Sequence, residues 1–302
     1  MQSTLDQLRA VVARLRGPDG CPWDRGQTLQ SLRPYLLEEC YEVLEALDRT
    51  SGQADRADQA NLLAAEELGD LLFVVLLLAQ IGEDEGRFSV DDVCRGIAGK
   101  MVERHPHVFG GDDPGRAAAI DPGSIAAWEN RKAASNASKA DRKSRLDGVP
   151  RSLPGLLRAH RQGEKAAAVG FDWAHHRDVL AKVREELAEL EEALEQAEAA
   201  AAAHQDWAPG EPRGSDPDPT LNPRSEAPAA VVHELGDLLM AVASLGRHIG
   251  APPEEALRVA NDRFAERFAL VEAHARQAGV ALNEAGADRL NDWWEQAKRA
   301  LG

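Results

Sequence analysis

Glu67-Leu68-Gly69-Asp70 runs into Leu71-Leu72-Phe73, and later in the chain Glu234-Leu235-Gly236-Asp237 runs into Leu238-Leu239-Met240. Upstream of each copy stands a second acidic cluster of one design. It is Glu38-Glu39-Cys40-Tyr41-Glu42 in the first half and Glu185-Glu186-Leu187-Ala188-Glu189 in the second. The chain therefore carries EExxE, a gap and ExxD in duplicate. The gap is longer in the second copy, and residues 204–227, rich in Pro, Gly, Asp and Ser, account for the excess; they read as a disordered excursion. Two further markers follow in the same order. Lys100-Met101-Val102-Glu103-Arg104 is matched by Arg263-Phe264-Ala265-Glu266-Arg267, and Trp128-Glu129-Asn130-Arg131-Lys132 by Trp294-Glu295-Gln296-Ala297-Lys298. Matched markers in one order define an internal duplication.

Outward from these motifs, apolar spacing predicts helices throughout. In the first half they cover about 3–16, from Thr28 or Ser31 to 48, 59–82, 89–104 and 125–132. Gly17 to Asp24 reads as a loop, and His105-Pro106-His107 ends the fourth helix. In the second half they cover about 153–168, 176–203, 228–249, 253–277 and 287–300. The fold class is all-α: tandem, duplicated helical-bundle domains over 1–133 and 151–302, joined by a polar linker at 134–150. The ELGD helix is apolar on every side from Leu71 to Ala79, as expected of an element buried between neighbours. Each half offers about four substantial helices, too few to cover it, so a partner is expected, either the other half or a second copy.

The formal charge of −16 argues against nucleic acid or an anionic membrane as a partner held by bulk charge. A phosphate-bearing ligand would need metal cations to screen it. Cys21, Cys40 and Cys94 form no CxxC pair, which suits a reducing cytoplasm. The N-terminal stretch lacks the form of a secretion signal, and the run Leu71 to Ala79 is too short to span a bilayer.

The acids carry the chemistry. Glu39 and Glu42, and Glu67 and Asp70, are three residues apart, and Glu38 and Glu42 four, so each set shares a helix face. If the two helices pack antiparallel, the carboxylates converge, repel and require a cation. Oxygen-only donors favour Mg²⁺ or Mn²⁺, with Ca²⁺ a further option. EExxE by itself is an ordinary solvated face; ELGD in duplicate, with a glycine inside each apolar helix, is harder to dismiss. Gly69 and Gly236 are expected to mark close approach of another backbone. Lys100 with Arg104, and Arg263 with Arg267, point the same way and read either as phosphate contacts or as salt-bridged faces. Lys182, four before Glu186, can pair with an acid or reach a phosphate, and Tyr35 takes its place in the first half. Trp23, Phe171 and Trp173 precede the acidic helices, where they stack a base or plug the bundle. His105 and His107 read as capping or packing residues.

Taken together, GCPWD, EExxE, ExxD and RHPHVF in the first half, with GFDW before the second copy, resemble the two-domain MazG nucleoside triphosphate pyrophosphohydrolases over nearly the whole chain. The resemblance implies the all-α NTP pyrophosphatase fold, a Mg²⁺ requirement, a homodimer, and hydrolysis of NTPs to NMP and pyrophosphate in nucleotide-pool house-cleaning. By motif it makes Glu39, Glu42, Glu67, Asp70, Glu186, Glu189, Glu234 and Asp237 the metal ligands. Glu38 and Glu185 become candidates for orienting or deprotonating water. Lys182, Arg263, Arg267 and Trp294 would fall around the nucleotide. The rival class is a nucleotide-binding or regulatory helical dimer without turnover. The insert and Arg263, where a Lys is usual, are departures from the family pattern.

Overall fold

The computed structural model describes residues 3–50, 57–109, 144–204 and 227–302. Every regular element among them is helical, as the apolar spacing predicts. The chain divides into two compact units, Met1–Ala119 and Ile120–Gly302. The expected helix at 125–132, residues 134–143 of the linker and 205–226 of the excursion lie outside the described residues.

The first unit contains α1 (Thr4–Arg16), α2 (Pro22–Gly26), α3 (Arg33–Thr50), α4 (Ala57–Asp84), α5 (Val90–Arg104) and α6 (Pro106–Phe109). Ser3 and Asp6 close a capping box on α1, each side chain accepting from the other's backbone N–H at 3.2 Å. Ser89 and Asp92 do the same on α5. Thr28 and Ser31, the expected caps of α3, instead bond to each other's backbone, and the helix begins after them at Arg33. The short α2 and α6 replace expected loop. Each starts on a proline, whose fixed φ suits the first helical position and whose missing N–H costs nothing there.

Residues 51–56 separate α3 from α4, so the two pack side by side and antiparallel. Val12, Leu32, Leu76, Leu77 and Ile81 form the core where α1 meets the C-terminal half of α4.

The second unit contains α7 (Gly155–Ala167), α8 (His176–His204), α9 (Ala229–His248), α10 (Pro253–Ala278), a 3₁₀ turn at Leu282–Glu284 and α11 (Ala287–Leu301). α8 packs along α9 as α3 does along α4, with Ala193 and Ala197 against Val231. α7 lies on α9 and α10. Glu254 accepts the Leu157 N–H at 3.1 Å, satisfying a donor that the first turn of α7 leaves free. α9 is the one helix among the described residues long and apolar enough to cross a membrane. It also bears Glu234, Asp237 and Arg247 and packs along α8.

One expectation needs correction. The ELGD glycines meet no neighbour among the described residues: a Cβ at Gly69 or Gly236 would find open space. Close approach belongs to other glycines. A Cβ at Gly82 would come 2.7 Å from the Phe88 ring, and one at Gly246 would come 2.6 Å from the Ala251 carbonyl oxygen. As the small number of helices in each half predicts, the ELGD helices are not covered all round within their own units. Val74, Leu77 and Ile81 of α4 are buried, while Leu68, Leu72 and Val75 stand 49%, 40% and 38% exposed. On α9, Leu235, Leu239 and Val242 repeat the exposed stripe.

Candidate functional site

Antiparallel packing brings the two acidic motifs of each half together. In the first unit, oxygens of Glu39, Glu42 and Glu67 lie within 4.8 Å of one another. Burial pushes the Glu39 carboxyl above its ordinary range, and the charges of Glu42 and Asp70 add to the effect. Glu67 is raised by burial and then by Glu42 and Asp70. One oxygen of Glu39, Oε2, is buried without a hydrogen-bond partner among the described residues. Glu38 is exposed on the same helix.

In the second unit, Glu186, Glu189 and Glu234 form the matching cluster. Glu189 is raised by burial and by Glu186. Among the eight expected ligands Glu186 is the one fully buried, at 6% exposure; Glu67 and Glu234 are half-buried, and Asp70 and Asp237 are exposed. The ExxD acids are thus less enclosed than the apolar sequence around them implies, because each unit leaves that side of the helix open.

Lys182 reaches both Glu185 and Glu186 at 2.7 Å, and these hydrogen bonds raise its pKa. A second triad, His233, Glu234 and Asp237, shares Glu234 with the first. His233 Nδ1 stands 3.4 Å from Glu234 and 3.2 Å from Asp237. His233 was not singled out from sequence, although its spacing of four before Asp237 was readable; Glu66 precedes the first ELGD.

A cavity of about 580 Å³ opens beside the second cluster. Its walls include Phe171, Trp173, Lys182, Glu186, Asp237 and Arg247. The aromatic loop, the lysine and the acids therefore meet in one space of ligand size. The first unit has a smaller hollow of about 250 Å³ between α1 and α4, lined by Asp6, Arg9 and Gln80 among others and by none of its acidic cluster. Elsewhere in the first unit, Trp23 packs edge-on against Tyr35, with ring centroids 5.6 Å apart.

The remaining expected residues lie outside the walls of both cavities. Lys100 and Arg263 are exposed, and Arg104 is buried. Arg267 donates to the Gly302 carbonyl at 3.1 Å, and Trp294 packs on Phe264 at 5.2 Å. His105 Nδ1 lies 2.7 Å from the Met101 carbonyl at the end of α5, a capping position.

Sequence reasoning also missed a polar cluster at the cavity rim. Arg247 holds the Asp172 carboxylate with both terminal nitrogens, one bond measuring 2.8 Å, and His248 Nε2 lies 2.9 Å from the same group. Burial acts to raise the Asp172 pKa, but the bonds from Arg247 and His248 prevail and lower it to about 2.

An all-α chain in which EExxE and ExxD face each other across antiparallel helices defines a class of helical proteins with a carboxylate cluster between paired helices. Residues 27–109 match the MazG nucleotide pyrophosphohydrolase domain. The chain is 36% identical over 293 residues to the nucleoside triphosphate pyrophosphohydrolase/pyrophosphatase MazG of Thermotoga maritima, covering 97% of this chain and 95% of that one. It is 36% identical over 302 residues to the nucleoside triphosphate pyrophosphohydrolase of Escherichia coli K12, covering 98% and 97%. A nucleoside triphosphate pyrophosphohydrolase of Mycolicibacterium smegmatis is 39% identical over 152 residues, 50% of this chain and 42% of that one. The chain belongs to the MazG family.

Proposed function

We propose that this protein is a Mg²⁺-dependent nucleoside triphosphate pyrophosphohydrolase, converting NTP and water to NMP and pyrophosphate. It acts as a cytoplasmic homodimer that cleans the nucleotide pool. The observation that carries this reading is the second unit's cavity, where an acidic cluster, a lysine and two aromatic rings line one space. The relatives' activity supports it. The three cysteines are free, in keeping with a reducing compartment.

The residues suit a hard divalent cation. Carboxylates with raised pKa values, and a buried Glu39 oxygen left unpartnered, make a donor set that a cation would complete. Glu39, Glu42, Glu67 and Asp70 would hold it in the first unit, and Glu186, Glu189, Glu234 and Asp237 in the second; Mn²⁺ can substitute. When bound, Mg²⁺ screens the triphosphate from these acids and lowers the pKa of a water beside the α-phosphate.

The chain's own groups supply the rest. Glu185, in the place of Glu38 of the first unit, accepts the proton as water attacks the α-phosphorus and pyrophosphate leaves. Lys182 turns from its acids to the phosphates and offsets the negative charge that develops. Phe171 and Trp173 stack the base. Arg263, Arg267 and Trp294 stand around the nucleotide by motif, and Lys100 and Arg104, four apart on one helix, are the basic pair that would meet phosphates in the first unit. The exposed stripes on α4 and α9 supply apolar surface for the dimer interface.

The test is pyrophosphate release from a panel of NTPs with and without Mg²⁺. Release of phosphate alone, or nucleotide binding without turnover, would overturn the proposal in favour of a binding module.

A further inference from the structure

We propose that Arg247 and Asp172 form a latch that positions the Phe171–Trp173 loop over the second unit's cavity, and that it sets nucleotide affinity rather than the rate of hydrolysis. The proposal rests on the nucleotide reading of that cavity. Arg247, on α9, is a positioning residue. It lines the cavity, but both of its terminal nitrogens donate to Asp172, so its charge is already spent within the protein. The pair is well enclosed, with Arg247 and Asp172 side chains 15% and 26% exposed, and His248, 11% exposed, closes it from the other side. Solvent screening is weaker here than for the surface pairs elsewhere in the chain.

Asp172 lies between the two rings in sequence. Its carboxylate also accepts the Trp173 N–H at 2.8 Å, so fixing Asp172 fixes the backbone that carries Trp173. The rings themselves have little else to hold them: Phe171 is 82% and Trp173 45% exposed. Gly170 before them has a positive φ of 84°, the turn that swings the loop off α7. Gly163 of α7 completes the device. A Cβ there would stand 3.2 Å from Arg247 Nε, so the glycine leaves room for the guanidinium to lie against α7. That Nε is buried without a hydrogen-bond partner among the described residues, so packing and the Asp172 pair determine its position.

The first unit holds its aromatic loop differently. Arg16 comes from α1, bonds to Asp84 on α4 at 2.7 Å, and donates to the backbone carbonyls of Asp24 and Gln27 at 2.6 and 3.3 Å. Its grip on the loop is through main chain. In the second unit the grip is a side-chain pair, which a single substitution can open.

The experiment uses the full chain with Mg²⁺ and ATP. Arg247→Met, Asp172→Asn, the double variant, Arg247→Lys and Gly163→Ala are compared for steady-state kinetics and for hydrogen exchange of residues 169–175. Each of the first two should speed exchange in the loop and raise KM by about ten- to a hundredfold, as small misplacements of positioning groups do, with kcat changed far less. The double variant should be no worse than either single one, and Arg247→Lys should recover part of the loss. Gly163→Ala removes no charged group, so it keeps the proposal testable if a charge variant fails to fold; it should reproduce the effect in milder form. Unchanged loop exchange, or a fall in kcat at constant KM, overturns the latch. If the wild type releases no pyrophosphate, the proposed function fails, and loop exchange alone then decides the latch: faster exchange supports it and unchanged exchange overturns it.

Discussion

Lys182 Nζ lies 2.7 Å from Glu186 Oε1, and in the first unit Tyr35 takes the lysine's place and packs against Trp23. One acidic cluster is therefore partly neutralised and opens into a cavity of about 580 Å³, while the acids of the other line neither of the two cavities described above. The second unit is expected to carry most of the turnover. Glu189→Ala should lower kcat/KM by about a hundredfold or more, the scale seen when a charge-stabilising group is lost, and Glu42→Ala much less. Equal losses, or a larger loss from Glu42→Ala, would contradict this.

Activity should vanish on chelation and return with Mg²⁺ or Mn²⁺. The acids cannot approach a triphosphate unscreened, and no softer donor set stands in the first unit's cluster. Turnover that survives exhaustive chelation would remove the metal from the mechanism.

Glu39→Gln should stabilise the metal-free protein at neutral pH. Because burial and neighbouring acids raise the Glu39 pKa above 4.5, the folded state keeps that proton to higher pH than the unfolded chain. Stability therefore falls as pH rises through the raised value. Thermal melts without divalent ions should show no difference between variant and wild type at low pH, and a gain of a few degrees for the variant by pH 7. Mg²⁺ should reverse the order, since the wild type binds it better. A difference that does not change with pH would refute the assignment.

Val75→Asp should dissociate the protein and reduce activity together. Val75 lies with Leu68 and Leu72 on an exposed stripe of the helix that also bears Glu67 and Asp70. Sedimentation across a concentration series decides the matter: a wild type that is an active monomer at low concentration would count against the dimer.

Gly246→Ala should destabilise the protein by about 1–3 kcal/mol, because its Cβ would press on the Ala251 carbonyl, a backbone atom that cannot swing away. Gly99→Ala is the control. Its Cβ meets nothing, so it should raise stability by roughly 0.5–1 kcal/mol through helix propensity. Chemical denaturation measures both.

The helices were legible because each long one carries an unbroken apolar period, and the acidic clusters because i, i+3 spacing fixes a face whatever the tertiary structure. α2 and α6 were not, since a single helical turn holds too few residues to show a period. The ELGD glycines misled because helix interiors seldom tolerate glycine without a packing reason, and that reason is not found among the described residues. Arg247 and Asp172 are far apart in sequence, and nothing local to either announces the other. The nucleotide-side residues Arg263, Arg267 and Trp294 were legible as a motif, but their own unit gives them other contacts.

The two acidic hairpins also differ in how their helices are tethered. Residues 51–56 join α3 to α4, whereas residues 205–228 separate α8 from α9, a connection four times as long. The logarithmic dependence of loop closure on length makes the second hairpin costlier to close by about 1 kcal/mol. The first can dock from nearly adjacent sequence while the second must search. During synthesis the earlier pair is expected to fold first, so the half with the smaller cavity becomes the nucleus of the molecule and the half that holds the ligand-sized space is the last to assemble.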